Sequence, residues 1–152
     1  LSADVVISAI GMEAQIDLAQ RAGLVTQKGI MTDAYLQTSD PNIYAVGDCA
    51  EVSGWLLFHI TPLRRCAQAL ALSLSGQPTA VSYPAMPVVV KTPCCPVVVS
   101  PPLLNIEGQG QDWLGRLESE TGDLLGFAVT GQCVRDRAGL HQALVPWMPS
   151  EN

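Results

Sequence analysis

The stretch that most constrains this chain runs from Thr38 to Ala50. After Thr38 and Ser39 come the turn-forming residues Asp40, Pro41 and Asn42, then Ile43, Tyr44, Ala45, Val46, Gly47, Asp48, Cys49 and Ala50. Turn residues followed by a short, largely apolar run predict a buried strand over 43–46 that stops abruptly at Gly47 and Asp48. Glycine has no Cβ, so a large ligand can come close to the backbone at Gly47. An aspartate just past the carboxyl end of such a strand can accept a hydrogen bond from a ligand hydroxyl, and open α/β sheets bind ligands at that edge. Taken alone, Gly47 and Asp48 also fit an ordinary solvated turn.

The longer string goes further. Thr38, then Tyr44, Ala45, Val46, Gly47 and Asp48, resembles the second flavin fingerprint of the FAD-dependent pyridine nucleotide-disulfide oxidoreductase superfamily, the flavoproteins with two dinucleotide-binding domains. In that family the pattern is a threonine, several variable residues, an aromatic residue, alanine, an apolar residue, glycine and aspartate. The resemblance gives Gly47 and Asp48 a cofactor-binding role, with Asp48 on the ribityl chain of FAD. A second likeness lies upstream. Residues 4–11 read as a continuous apolar strand ending in Ala9, Ile10 and Gly11, the pattern of a parallel strand buried on both faces. In the family a similar strand marks the return from the NAD(P)H-binding domain to the flavin domain. Gly11 is carried over as a position only, because Ile10 replaces the usual threonine.

Composition sets the outer limits. The 152 residues hold 14 acidic and 8 basic side chains, a formal charge of -6, which argues against nucleic acid or anionic lipid as a partner. No apolar run reaches the ~18 residues a membrane helix needs. The chain opens on Leu1 with no basic leader and enters a strand almost at once, as a piece of a longer protein would. Five cysteines, at 49, 66, 94, 95 and 133, make an odd count without a Cys-x-x-Cys spacing, so reduced thiols in a cytoplasmic protein are expected.

Between the two fingerprints the sequence predicts a short helix from Glu13 to Ala22 closed by Gly23, a turn at Lys28 and Gly29, and a short extended piece. Met12 and the apolar face of that helix are expected in the core. After Asp48 a loop over 51–60 is apolar enough to suggest that it packs under another part of the protein. His59 in that loop is expected to be packed or hydrogen-bonded rather than catalytic.

The best-defined helix follows, with Thr61 as N-cap, Pro62 at the first helical position and Gly76 past its end. Leu63, Cys66, Ala67, Leu70, Ala71 and Leu74 form one apolar stripe. The start of a helix gathers unpaired N–H groups and about half a positive charge. In the resembling family the corresponding helix points at the flavin, and Thr61, Pro62 and Leu63 are therefore assigned backbone contacts with FAD.

Residues 77–83 read as a linker, and the domains are expected as 1–11 (end of the NAD(P)H-binding domain), 12–78 (closing segment of the FAD-binding domain) and 79–152 (C-terminal partner-docking domain). Two proline-bounded valine runs follow, 86–93 and 95–102, short or edge strands. The first ends in Lys91, and the string 83–93 resembles bacterial rubredoxin reductases. That resemblance implies an electron-transfer partner docking on the C-terminal domain and Lys91 near the isoalloxazine. A hairpin about Glu120, Thr121, Gly122 and Asp123 and a helix over 135–145 complete an α/β piece followed by a small α+β domain with an antiparallel sheet. Trp113 and Trp147 are expected to pack.

No Gly-x-Gly-x-x-Gly turn occurs, so the phosphate-binding parts of both the FAD and NAD(P)H sites must come from elsewhere. The resemblance implies a parent activity that passes electrons from NAD(P)H through FAD to rubredoxin or a similar small iron protein. A rubredoxin of this family is usually acidic, so docking calls for a basic patch, with Arg64, Arg65, Arg116, Arg135 and Arg137 as candidates. The alternatives are a ferredoxin or nitrite reductase flavin subunit, or a non-catalytic module that binds a protein or self-associates.

Overall fold

The computed structural model describes residues 2–101 and 110–148. The chain divides into two compact units, one up to Val81 and one from Ser82. Pro102, the expected end of the second valine run, lies outside the described residues.

The first unit begins with an uncovered segment. Residues 4–11 form no ladder, and Ile10 is 96% exposed, so the buried parallel strand expected there is corrected. The reason is non-local. A strand needs a neighbour to take its N–H and C=O groups, and the described residues offer none to this run. Gly11 has a φ of +136°, and a Cβ there would meet nothing within 4 Å. Met12 and Leu18 are exposed as well, against the expectation for both.

Helix α1 spans Asp17–Arg21, starting four residues later and ending one residue earlier than the sequence suggests. Gly23 (φ +77°) donates to Gln20 O and Leu24 to Ala19 O, the paired bonds of a Schellman ending. Strand β1 (Ile30–Thr32) pairs in parallel with β2 (Ala50–Val52). The sheet strand therefore follows Gly47-Asp48 rather than preceding it. Residues 43–46 make a single bridge, Gln37 to Tyr44, with Ile43 and Val46 exposed, which corrects the buried strand predicted there.

Helix α2 runs over Ile60–Leu74. Its C-terminus again has a Schellman ending, with Gly76 (φ +90°) donating to Ser73 O and Gln77 to Leu72 O. Its buried face is Pro62, Cys66 and Ala69. Of the predicted stripe, Cys66 is buried and Leu70 half-buried, whereas Leu74 is 65% exposed. A periodic pattern marks which residues can share a face, not which face finds a neighbour. Residues 55–58 are half-buried, and Glu51 and Val52 belong to β2 rather than to a loop.

The second unit is a four-stranded antiparallel sheet in the order β3 (Val88–Val90), β4 (Val97–Ser100), β6 (Leu124–Thr130), β5 (Leu114–Glu118). The first valine run is the exposed edge and the second is interior, with Val98 buried. The β5–β6 turn is organised by Ser119: Thr121 and Asp123 N–H both donate to its Oγ, and Gly122 takes φ +87°. A 3₁₀ turn, Gly131–Asp136, precedes α3 (Arg137–Ala143), so the terminal helix is shorter than the expected 135–145. Ala85, Val98, Leu124, Phe127, Val129, Leu140 and Leu144 make one core, with Trp147 packed against it. Tyr83 and Met148 exchange backbone hydrogen bonds and clip the two ends of the unit together.

Candidate functional site

The motif's first residue has a visible structural task. The Thr38 hydroxyl donates toward Asp40 O (3.1 Å) and Ile43 O (3.0 Å) and accepts from Asp40 N–H (3.2 Å). Asp40 Oδ1 in turn accepts Asn42 N–H at 2.8 Å. The turn is therefore locked by side chains from within. Just upstream, Asp33 Oδ1 accepts the N–H groups of Tyr35 and Gln37 and holds Leu36, fully buried, at φ +68°. A left-handed leucine costs roughly 1–2 kcal/mol, so it persists only where such bonds and burial fix it. The Leu36 carbonyl accepts Ala45 N–H (3.1 Å), which anchors the run leading to Gly47.

Gly47 lies at φ +99°, where any other residue would be strained, and a Cβ built on it would lie 3.9 Å from Leu63 Cδ1. The structure thus brings the Gly-Asp turn against the first turn of α2. Asp48 is exposed, and among the described residues no donor reaches its carboxylate.

The start of α2 differs from expectation by two residues. The N-cap is His59, in extended conformation and without a side-chain capping bond, so Thr61 and Pro62 lie inside the first turn. Proline is tolerated there because its missing N–H belongs to a group with no intrahelical partner. Pro62 therefore has no N–H to offer a ligand, and Leu63 N–H turns back to His59 O at 3.5 Å. Of the three residues assigned backbone contacts, Thr61 is the one whose N–H is free of both limits.

The arrangement fits a hydroxyl-bearing anionic ring system on three counts. An unengaged carboxylate follows a glycine with a permissive backbone, and an uncapped helix start stands beside them.

Sequence reasoning missed a buried carboxylate. Glu51, 6% exposed, accepts Gly29 N–H on Oε2 at 2.9 Å. Gly29 has no room for a side chain: a Cβ would fall 2.9 Å from Glu51 Cβ and 3.0 Å from Cys49 O. Glu51 also lines a hollow of about 990 Å³ with Lys28, Trp55, Leu56 and Phe58. The signal was the β1–β2 pairing, which aligns Met31 with Glu51 and cannot be read locally.

In the second unit Lys91 is exposed and shares a shallow hollow of about 270 Å³ with Arg137, floored by Val89, Val97 and Val98. Of the other arginines, Arg116 lies 3.5 Å from Glu118 on the surface.

Comparison with known proteins follows the same division. Residues 1–72 match the family model described as pyridine nucleotide-disulphide oxidoreductase, and residues 80–144 match the rubredoxin binding C-terminal domain. A rubredoxin-NAD(+) reductase from Alcanivorax borkumensis is 47% identical over 98% of this chain and 41% of its own length. Another from Acinetobacter baylyi is 52% identical over 52% of the chain and 20% of its own length. The chain thus spans about two fifths or less of these relatives. Among solved structures, NADH:rubredoxin oxidoreductase from Clostridium acetobutylicum overlays with a TM-score of 0.70 at 21% identity, covering 90% of this chain and 37% of that one. The Thr38–Asp48 fingerprint thus falls in the segment that matches the pyridine nucleotide-disulphide oxidoreductase model, and the valine-rich sheet falls in the segment that matches the rubredoxin binding C-terminal domain.

Proposed function

We propose that this chain is the C-terminal part of an FAD-dependent oxidoreductase that passes electrons from NAD(P)H through FAD to rubredoxin or a similar small iron protein. The observation that carries the reading is the nearness of Gly47, the residue before Asp48, to the uncapped start of α2, where a Cβ built on Gly47 would lie 3.9 Å from Leu63 Cδ1.

When bound, the flavin supplies hydride acceptance and single-electron release. This chain's residues bind and orient it. Asp48 accepts a hydrogen bond from a ribityl hydroxyl, and Gly47 lets the backbone come close. Thr61 N–H, at the positive end of α2, favours the negative charge of the reduced ring by at most ~1–2 kcal/mol. Pro62 fixes the helix start from its buried position, and Leu63 contributes an apolar surface against Gly47. Gly11 marks the return of the chain from the nucleotide-binding part.

Lys91 serves two proposed roles. As a fixed cation it raises the flavin potential. With Arg137 it offers an acidic partner a cationic rim over an apolar floor, a pairing that speeds encounter more than it adds affinity. Cysteines that form no disulfide among the described residues fit a cytoplasmic setting.

The test is an assay of the flavoprotein containing this segment. With NADH or NADPH the flavin absorbance should bleach, and oxidised rubredoxin should be reduced in turn. A flavin that neither nucleotide bleaches would overturn the reading.

A further inference from the structure

Cys94 and Cys95 are chain neighbours at the tip of the β3–β4 hairpin, Cys94 exposed and Cys95 half-exposed. A turn over 92–95 carries them, closed by Cys95 N–H donating to Thr92 O at 3.3 Å, with Pro93 at the position where proline pre-sets the backbone. The Thr92 hydroxyl also donates to Cys95 O, and Pro96 follows directly. The turn is thus held by its backbone and by Thr92, and neither thiol is needed to close it. Among the described residues, the bond made by either sulfur is a weak one, Cys95 Sγ to Pro96 O at 4.0 Å.

The other three cysteines differ. Cys66 is buried in α2, Cys49 Sγ bonds Val46 O at 3.6 Å, and Cys133 packs against the core. No group of three or more metal-ligating side chains forms among the described residues, so a zinc-type site is not built here.

We propose that Cys94 and Cys95 form a chelating site for a single thiophilic centre that takes two thiolates, the class of trivalent arsenic. Distance favours chelation over a disulfide. Neighbouring Cα atoms are about 3.8 Å apart, whereas ordinary disulfides join Cα atoms roughly 4.4–6.8 Å apart. A direct S–S bond would strain the turn. An arsenic atom between the sulfurs lengthens the bridge and relieves that constraint. The balance is simple: an arsenoxide and two thiols give one dithioarsenite and one water. Two As–S bonds form, the As–O bond breaks, the thiol protons leave with the oxygen, and arsenic stays trivalent. Pro93 and Pro96 also line the hollow that holds Lys91 and Arg137, so the bound centre would stand at its rim.

The test uses this chain and phenylarsine oxide, with thiols counted by DTNB and adducts by intact mass. One equivalent should remove two reactive thiols from the native chain and add one arsenical with loss of water. A dithiol should reverse it where an equal concentration of monothiol does not. Cys94→Ser and Cys95→Ser should each weaken binding by about 100-fold, since two-point attachment becomes one-point, with the far-ultraviolet circular dichroism unchanged. Undiminished binding in both variants, or consumption of Cys49 or Cys133 instead, would overturn the proposal. No electron transfer enters this readout, so its outcome is separate from that of the proposed function.

Discussion

The two units of this chain solve the same problem to different degrees. The second closes on itself among the described residues: four strands pair in one sheet, seven buried residues form one core, and Tyr83 and Met148 tie its ends. The first holds two three-residue strands, leaves Val5, Val6, Ile7 and Ile10 uncovered, and fixes its key loop by side-chain bonds around Thr38, Asp33 and Glu51. An antiparallel sheet built from neighbouring hairpins can be completed within seventy residues. A parallel sheet draws strands from far apart in sequence. The first unit is thus a set of well-fixed local pieces whose apolar run calls for strands from elsewhere.

The largest expected effect probes the second unit. Phe127 is fully buried, and Phe127→Ala should cost about 3–5 kcal/mol, read by urea unfolding of the whole chain. A loss below ~1 kcal/mol would mean that this core does not hold the unit. Hydrogen exchange sharpens the contrast: β4 and β6 amides should be the most protected, and residues 2–16 should exchange nearly freely. Uniform protection would erase the comparison.

Next come the pieces that fix the first unit. Gly29→Ala places a Cβ within 3.0 Å of two backbone atoms, Cys49 O and Glu51 N, and should destabilise by ~1–3 kcal/mol in the same unfolding experiment. Glu51→Ala leaves the Gly29 N–H without its acceptor and should cost a similar ~1–3 kcal/mol. A neutral result for both would show that this contact does not organise β1 and β2.

Charge at the second unit's hollow is expected to act on rate. In the flavoprotein, replacing Lys91 and Arg137 together by glutamate should slow rubredoxin reduction by about tenfold at low salt, with the gap narrowing as salt rises. Lys91→Ala should lower the flavin reduction potential, and an unchanged potential would remove Lys91 from the cofactor's surroundings. The smallest effect is also diagnostic. Thr61→Ala should change stability by less than ~0.5 kcal/mol, because Thr61 is not the N-cap; a loss near ~1 kcal/mol would restore the capping role.

Local chemistry was legible in the sequence, and pairing was not. Gly23 and Gly76 mark two helix ends because a left-handed residue after the last turn closes the final carbonyls within a few residues. The turn at residues 120–123 is legible for the same reason. Residues 4–11 and 43–46 have strand-like sequences, but a ladder needs a partner that local sequence does not name. At α2, the Thr61-Pro62 pair resembles a cap and first position, yet His59 is where the backbone is still extended. The motif around Gly47 and Asp48 stood out through its ordered residue types, while Glu51 emerged only once β1 and β2 were aligned.

The most direct measurement is FAD retention by the flavoprotein carrying Asp48→Ala, with cofactor affinity measured on stripped protein. Loss of a hydrogen bond to a charged group is worth ~1.5–3 kcal/mol, so the affinity should fall by roughly 10- to 100-fold. Binding as tight as in the unaltered protein would contradict the placement of the flavin beside Asp48 and the start of α2.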